Sequence, residues 1–233
     1  MSVPESSRAG WLGAAAAGCV LLTGCGATVA GHPVAGEAAT VQAHVAAGLE
    51  DLLPTQAQFP ARYSVVVLPP EAAAQAAGDL TGIARGAAVH PAGCAPPEQR
   101  FGPDQTAIAV GTDGDARATV TVQLARTSQQ LSALREQVAR CGEIRVNQGG
   151  AITTVATQLD PAPPVAADDS IALRRTVIPD IGGVGLTQSM QTLVGQVGDV
   201  RITVTHMTFG ASKPDTAALD EVFTTTVHQV QQG

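Results

Sequence analysis

The stretch LTQSMQTLVGQVGDVRITVTHMTF, residues 186–209, tells more about the fold than any other part of the chain. It contains two β-rich runs, 186–197 and 200–209, separated only by the dipeptide Gly-Asp. A two-residue turn with glycine closes a tight antiparallel hairpin, so the stretch predicts two paired strands. In the second run His206 falls on the same side as Ile202, and we therefore expect a core histidine with its hydrogen bonds satisfied and not a ligand.

A second hairpin is predicted upstream, where runs at 106–112 and 118–124 flank the sequence Asp-Gly-Asp. Asp113 and Asp115 are interpreted as turn residues, because the loop lacks the other oxygen ligands that a calcium site needs. The second run alternates between an apolar face, formed by Val120, Val122 and Leu124, and a polar face, formed by Thr119, Thr121 and Gln123.

The rest of the chain adds helices at both ends and in the middle. Together with the hairpins this predicts an α+β fold, a mainly antiparallel sheet with helices packed on one face. Helical spacing or helix-favouring composition predicts the helices, and β-rich runs predict the strands. The predicted helices lie at 41–52, 71–77, 128–141 and 214–230, and the further strands lie at 63–68, where we expect a buried strand, 143–146, 151–159 and 171–178.

A lipoprotein signal is predicted at the N-terminus. The run LTGC at 22–25 follows an apolar core at 11–22, which has signal-peptide length and is too short to span a bilayer. Cleavage before Cys25 would leave this cysteine as the acylated first residue. The rival interpretation is an ordinary secreted protein that is cleaved nearby.

These features divide the chain into a signal peptide at 1–24, a lipidated flexible tether at 25–40 and a single extracytoplasmic domain at 41–233. We expect the protein at the cell membrane, anchored on the extracytoplasmic face through acyl chains such as palmitate. The membrane is then a partner through the N-terminal lipid.

The cysteines predict one disulfide bond. Cys19 is removed with the signal peptide and Cys25 takes the lipid, which leaves Cys94 and Cys141. Outside the cytoplasm these two are expected to pair. Two free buried thiols or a metal site are the alternatives; two cysteines make only half a zinc site, and neither has a histidine at ligand spacing. We expect no metal.

The composition argues against nucleic acid as a partner. The chain has 13 Lys and Arg against 20 Asp and Glu, a net charge of −7, and no basic cluster that would bind phosphates. Aromatic residues make up only 3%, which disfavours sugar stacking. Arg126, Arg135 and Arg140 are interpreted as solvated charges.

No catalytic motif is present in the sequence. The serine elbow, Ser-x-x-Lys and His-Glu-x-x-His patterns are missing. The run IGGVG at 181–185 lacks the helix and lysine of a phosphate loop and predicts a turn. Asp168 and Asp169 lie in the long loop at 160–169, where solvation is the default. We therefore expect no enzyme, no catalytic residue and no cofactor.

The order of features is similar to that of a known group of proteins. A lipobox and tether precede the pattern FPxxY at 59–63, an alanine-rich helix and the run PAGCAPP at 91–97. This resembles mycobacterial lipoproteins that carry a domain of unknown function and, more distantly, the extracytoplasmic sensor domains of mycobacterial receptor-type serine/threonine kinases. The resemblance implies an α+β domain with a ligand-binding cleft; those sensors have two disulfides where this chain has one.

The function expected from the sequence is that of a cell-envelope lipoprotein with a non-catalytic ligand-binding or sensor-like domain. An apolar small molecule or lipid is the favoured ligand, in a pocket lined by residues such as Met190 and Met207, and the sequence assigns no ligand-binding residue. One alternative is an interaction or signalling accessory that binds an envelope protein. The other is a hydrolase without a recognisable motif.

Overall fold

The structure is a computed structural model that describes residues 43–97, 99–102, 104–182, 186–210 and 212–233. All of them belong to one unit of the chain, Thr40–Gly233. The predicted signal peptide, Cys25 and the tether lie outside the described residues, as does part of the IGGVG run. Within the described ranges, every helix is too short or too polar to span a bilayer.

Strands and helices follow one another along the described residues, and the strands form one antiparallel sheet. The elements are β1 (Ser64–Val67), α1 (Pro70–Thr81), β2 (Ala88–His90), β3 (Thr106–Asp113), β4 (Ala118–Arg126), α2 (Leu131–Arg140), β5 (Glu143–Gln148), β6 (Ala151–Asp160), β7 (Asp169–Pro179), β8 (Gln188–Val197), β9 (Val200–Phe209) and α3 (Thr216–Gln232). The sheet has nine strands in the order β1-β3-β4-β9-β8-β7-β6-β5-β2. The predicted α+β class and antiparallel sheet are confirmed.

The two predicted hairpins form the middle of the sheet. β8 and β9 pair with Val197 opposite Val200 across a two-residue turn. β3 and β4 pair across a turn in which Asp113 Oδ1 accepts hydrogen bonds from the amides of Asp115 at 3.1 Å and Ala116 at 3.0 Å. Because β4 also pairs with β9, the two hairpins lie side by side and carry the core.

One face of the sheet is covered by α3. Val122 of β4, Leu193 of β8 and Val204 of β9 are buried in one cluster with the helix. Phe223 lies over Gly195, where a Cβ atom would be 3.2 Å from Phe223 Cζ, so the small residue lets the helix approach the sheet. The buried residues of α3 are Ala218, Leu219, Val222, Phe223, Thr226, Val227 and Val230.

The opposite face carries α1 and α2, so the helices are divided between two faces where one was expected. Ile108 of β3 is buried with alanines of α1. Ile171 and Leu173 of β7 pack on Leu131 of α2, whereas Ala172 between them belongs to the cluster under α3. Consecutive apolar residues in one strand point to opposite faces, and both faces therefore need a cover.

The predicted helix at 41–52 is wrong, because its described part forms turns. Val45 is buried as the spacing suggests, but its backbone is bound by distant side chains. Arg126 Nη1 and Nη2 donate to the carbonyl oxygens of Val45 at 3.0 Å and Ala47 at 2.9 Å, and Asp199 Oδ1 accepts from the Val45 amide at 2.9 Å. These bonds replace the helical pattern. The side chain of Arg126 is only 11% exposed and is not the solvated charge expected.

Two further elements differ from the prediction. β1 was expected to be buried, but it is an edge strand in which Val66 and Val67 are 58% and 50% exposed. A short apolar run does not distinguish a central strand from an edge strand. α1 continues through Gly78 to Thr81 and ends at Gly82, which has the left-handed backbone that terminates many helices.

The predicted disulfide between Cys94 and Cys141 is present, with 5.6 Å between the Cα atoms. Cys94 follows β2, and Cys141 directly follows α2. The bond therefore ties the loop after β2 to the end of the second helix on the face opposite α3.

Replacing both cysteines by serine should lower the free energy of unfolding by about 4 kcal/mol, because the bond closes a loop with a sequence separation of 47 residues. Urea unfolding of the oxidised chain and of the Cys94→Ser/Cys141→Ser variant measures this. The reduced wild-type chain is the control and should behave like the variant. A loss below about 1 kcal/mol would contradict the expectation.

Gly82→Ala should destabilise the fold more than Gly86→Ala. Both glycines have positive φ, 68° and 76°, so each substitution carries a backbone cost of about 1–2 kcal/mol. A Cβ at Gly82 would also lie 2.7 Å from Val177 Cγ2, whereas one at Gly86 meets nothing within 4 Å. We expect about 3 kcal/mol or more for Gly82→Ala in urea unfolding. Equal losses would show that crowding at Gly82 is relieved without cost.

Candidate functional site

A cavity of about 630 Å³ lies on the sheet face opposite α3. Its floor consists of side chains from β4, β6, β7, β8 and β9. The short side chains of Thr192, Thr203 and Thr205 lie at the centre of this floor, where larger residues would fill the space. The volume falls within the range of small-molecule sites in proteins.

The walls of the cavity come from the two helices on this face. Leu80 at the end of α1 and Ile83 just beyond it line one side. Leu134 and Val138 of α2 line another, because the stripe that predicts this helix points them towards the sheet. The disulfide also lines the cavity, so a covalent bond holds its wall together.

Arg175 lies in the cavity, and no carboxylate of the described residues balances its charge. Its Nε donates to Thr157 Oγ1 at 3.1 Å and its Nη1 donates to the carbonyl oxygen of Leu80 at 2.7 Å. Burial lowers the pKa of Arg175 to about 10, so the guanidinium stays protonated at neutral pH. Among the described residues no Asp or Glu forms an ion pair with it. The charge is thus held by neutral oxygens alone.

Arg201 and Gln123 add two more hydrogen-bond donors to the floor. Arg201 donates to Gln196 Oε1 at 3.3 Å and to the carbonyl oxygen of Gln129, and burial lowers its pKa. Gln123 is only 7% exposed, and its Nε2 atom has no hydrogen-bond partner in the part of the chain that is described. A buried donor without a partner is costly and needs an explanation.

The charge of the cavity is opposite to that of the whole chain. Four arginines line it, namely Arg100, Arg126, Arg175 and Arg201, and the lining residues in the described ranges include no Asp or Glu, although the chain carries a net charge of −7. Arg126 differs from Arg175 and Arg201, because two carboxylates neutralise its charge. Burial acts to lower its pKa, but the carboxylates of Asp104 and Asp199, each at 3.1 Å, raise it.

The residues singled out from the sequence are found in different places. Cys94 and Cys141 line the cavity. Met190 and Met207 lie opposite each other in β8 and β9 and pack in the cluster beside the disulfide, but they do not line the cavity. His206 is buried on the face under α3, as expected, and desolvation lowers its pKa. It is satisfied only in part: Nε2 accepts from the Asp215 amide at 3.4 Å, whereas Nδ1 has no partner among the described residues.

The two aspartates expected to be solvated are accessible to solvent, with Asp168 exposed and Asp169 partly exposed, and both also fasten the loop to the fold. Asp168 Oδ2 accepts from the Gly198 amide at 2.7 Å. Asp169 forms a two-fold hydrogen-bonded ion pair with Arg135, at 2.7 and 2.6 Å, so this arginine is paired, although 37% of its side chain is exposed. These contacts join the long loop to the turn of the β8–β9 hairpin and to α2.

The sequence did not identify Arg175, Arg201 and Gln123 as site residues, although the alternation of side chains along the strands places them on the face of the cavity. Arg175 occupies the same face of β7 as Leu173 and Val177, a position that is normally apolar. Gln123 was placed on the polar face of its strand, and that face is the cavity floor. A strand with apolar residues at successive positions is buried on both faces. A polar residue in such a strand therefore points into the protein interior and is a candidate site residue.

The lining residues offer hydrogen-bond donors and apolar surface. In the described part of the chain no cluster of three His, Cys, Asp or Glu side chains could hold a metal ion. What the described residues can do is bind and orient a molecule that has both oxygen acceptors and apolar groups.

Comparison with known proteins finds similar structures but no matching family. No protein-family model matches the chain, and no curated protein matches it. One similar structure is an uncharacterised protein from Mycobacterium smegmatis, the Rv0999 ortholog, with 14% identity and a TM-score of 0.47; it covers 83% of this chain and 100% of its own. Another is the extracellular domain of PknH from Mycobacterium tuberculosis, with 12% identity and a TM-score of 0.45, covering 78% and 94%.

Proposed function

We propose that the protein is a cell-envelope lipoprotein whose extracytoplasmic domain binds a small ligand without catalysing a reaction, as a binding or sensor-like module. The cavity opposite α3 carries this proposal. It has the volume of a ligand site, apolar walls from α1 and α2, and a few convergent polar groups on its floor. Gln123 Nε2, which is buried and has no partner among the residues that the structure describes, would gain a hydrogen bond from an acceptor on the ligand.

The proposed location rests on the N-terminal sequence and on the disulfide. The LTGC run behind an apolar core is typical of a lipoprotein signal, and acylation of Cys25 would anchor the domain on the extracytoplasmic face. A structural disulfide such as Cys94–Cys141 persists in oxidising compartments outside the cytoplasm. Both features support the same side of the membrane.

A protein partner is the second candidate, and the edge strand β1 favours it. Val66 and Val67 are exposed on this strand at the border of the sheet. A strand of another envelope protein could pair with such an edge through its backbone groups. In that function the protein would be an interaction or signalling accessory.

A small molecule should remain bound to the full chain when it is purified from its own host and analysed by native mass spectrometry. The variant Gln137→Trp should lose it, because Gln137 of α2 lines the cavity and a larger side chain fills the space. The matched control is Ala139→Trp on the exposed side of the same helix, which should retain the molecule.

The same measurement separates the two candidates. Equal retention by wild type and Gln137→Trp would place the molecule outside the cavity and refute the proposal. A purified chain that carries a protein and no small molecule would favour the interaction function.

Cys25→Ala should release the protein from the membrane. Without the thiol no diacylglycerol can be attached, so the variant should leave the detergent phase on phase separation and carry no palmitate label. Cys94→Ser is the control, because it also removes a cysteine and should keep the label. A Cys25→Ala chain that still carries palmitate would contradict lipidation at this residue.

A further inference from the structure

We propose that the ligand is an anionic amphiphile whose carboxylate or phosphate head binds Arg175 and whose hydrocarbon body lies along the apolar part of the cavity. This inference rests on the proposed binding function and names the chemistry of its ligand. It assigns to Arg175 a role in binding that neither the fold nor the disulfide requires.

The first step is the unbalanced charge of Arg175. Its two hydrogen bonds, to Thr157 Oγ1 and to the carbonyl oxygen of Leu80, use Nε and Nη1. Nη2 has no hydrogen-bond partner in the described ranges. Arg175 is partly buried, and withdrawing a charged group from water without an opposite charge is unfavourable. A carboxylate or phosphate oxygen on Nη2 would supply both the missing hydrogen bond and the missing charge.

The second step is that Gln123 and Arg201 also offer donors on the floor. Gln123 Nε2 is buried and without a partner in the described residues, and Arg201 is bound only by the neutral oxygens of Gln129 and Gln196. No Asp or Glu among the described lining residues competes for these donors. A cavity rich in donors favours a ligand rich in acceptor oxygens.

The third step is the apolar surface between the donors. β8 lies between the strands of the two arginines, with Met190 opposite Arg175 and Gln196 opposite Arg201. Met190 and Gln196 are six residues apart, so the two arginines are separated by about 20 Å along the strand direction. The threonines of the floor lie in this interval together with the apolar side chains of Leu173 and Val194. The apolar wall of α2, formed by Leu134 and Val138, adjoins them. An inorganic anion would leave this surface in contact with water, whereas the hydrocarbon part of an amphiphile would cover it.

A purely structural role for Arg175 makes a different prediction. The bond from Nη1 to Leu80 places a cation at the C-terminal end of α1, where it stabilises the helix. Loss of that bond would change stability and would affect charged and uncharged ligands alike. Discrimination between an anion and its neutral analogue therefore separates binding from support of the helix.

The test is calorimetric titration of the purified full chain with dodecanoate and dodecyl phosphate below their micelle concentrations, with dodecanol below its solubility limit, and with inorganic phosphate. We expect at least one of the two anionic amphiphiles to bind about tenfold or more tightly than dodecanol, because charge-assisted hydrogen bonds are strong. The tighter anion identifies the head group. Arg175→Met should weaken anion binding about 10- to 100-fold and leave dodecanol binding unchanged within about twofold.

The matched control is Arg174→Met, which changes the neighbouring arginine of the same strand. Arg174 is exposed on the other face of the sheet and pairs with Asp160, so both ligand classes should bind this variant as they bind the wild type. Circular dichroism checks the fold of each variant. The preference of the wild type for anions needs no variant and stands even if Arg175→Met does not fold.

Several results would overturn the proposal. Equal affinity for dodecanol and the anions would refute the anionic head group of the ligand. It would not refute the ligand-binding cavity, which native mass spectrometry tests separately. If inorganic phosphate binds as tightly as dodecyl phosphate, the hydrocarbon body of the ligand is refuted. A preference that Arg201→Met abolishes and Arg175→Met preserves would refute the assignment to Arg175, and no binding of any probe would refute the proposal as a whole.

Discussion

The packing of α3 across β4, β9 and β8 is the constraint on which the rest of the molecule depends. Valine, leucine and isoleucine side chains from these strands and the apolar stripe of the helix form the largest buried cluster. Gly195 permits the close approach of Phe223 to the sheet. Because burial of apolar surface is the main favourable contribution to folding, this contact fixes the central strands and leaves their opposite face to be covered by other means.

That opposite face is covered incompletely, and the cavity is the result. α1 packs mainly on β3, while α2 packs on β6 and β7. The strands between them, β4, β9 and β8, are therefore only partly covered on this face. The Cys94–Cys141 bond links the end of α2 to the loop after β2 and keeps this arrangement closed. In the described part of the chain Arg175 has no carboxylate beside it and Gln123 Nε2 has no partner, and both features are unfavourable for folding alone. Natural proteins retain such features where function requires them.

Much of the fold could be predicted because it depends on local patterns. The Gly-Asp and Asp-Gly-Asp turns specified the two central hairpins, and the stripe of Leu219, Phe223 and Val230 specified α3. The segment around Val45 could not be predicted, since Arg126 and Asp199, distant in sequence, bind its backbone. For the candidate site, two cysteines were found from simple counting. Arg175 was missed because an inward arginine becomes meaningful only when its neighbours are known.

The sequence by itself determined the strand pairing of the hairpins, the α+β class and the pairing of Cys94 with Cys141, because turn chemistry, residue alternation and cysteine number are properties of short segments or of composition. Only the tertiary structure decided that the helices lie on both faces, that β1 is an edge strand, and that Arg175, Gln123 and Arg201 line one cavity. These facts depend on the order of strands in the sheet, which brings together residues that are far apart along the chain.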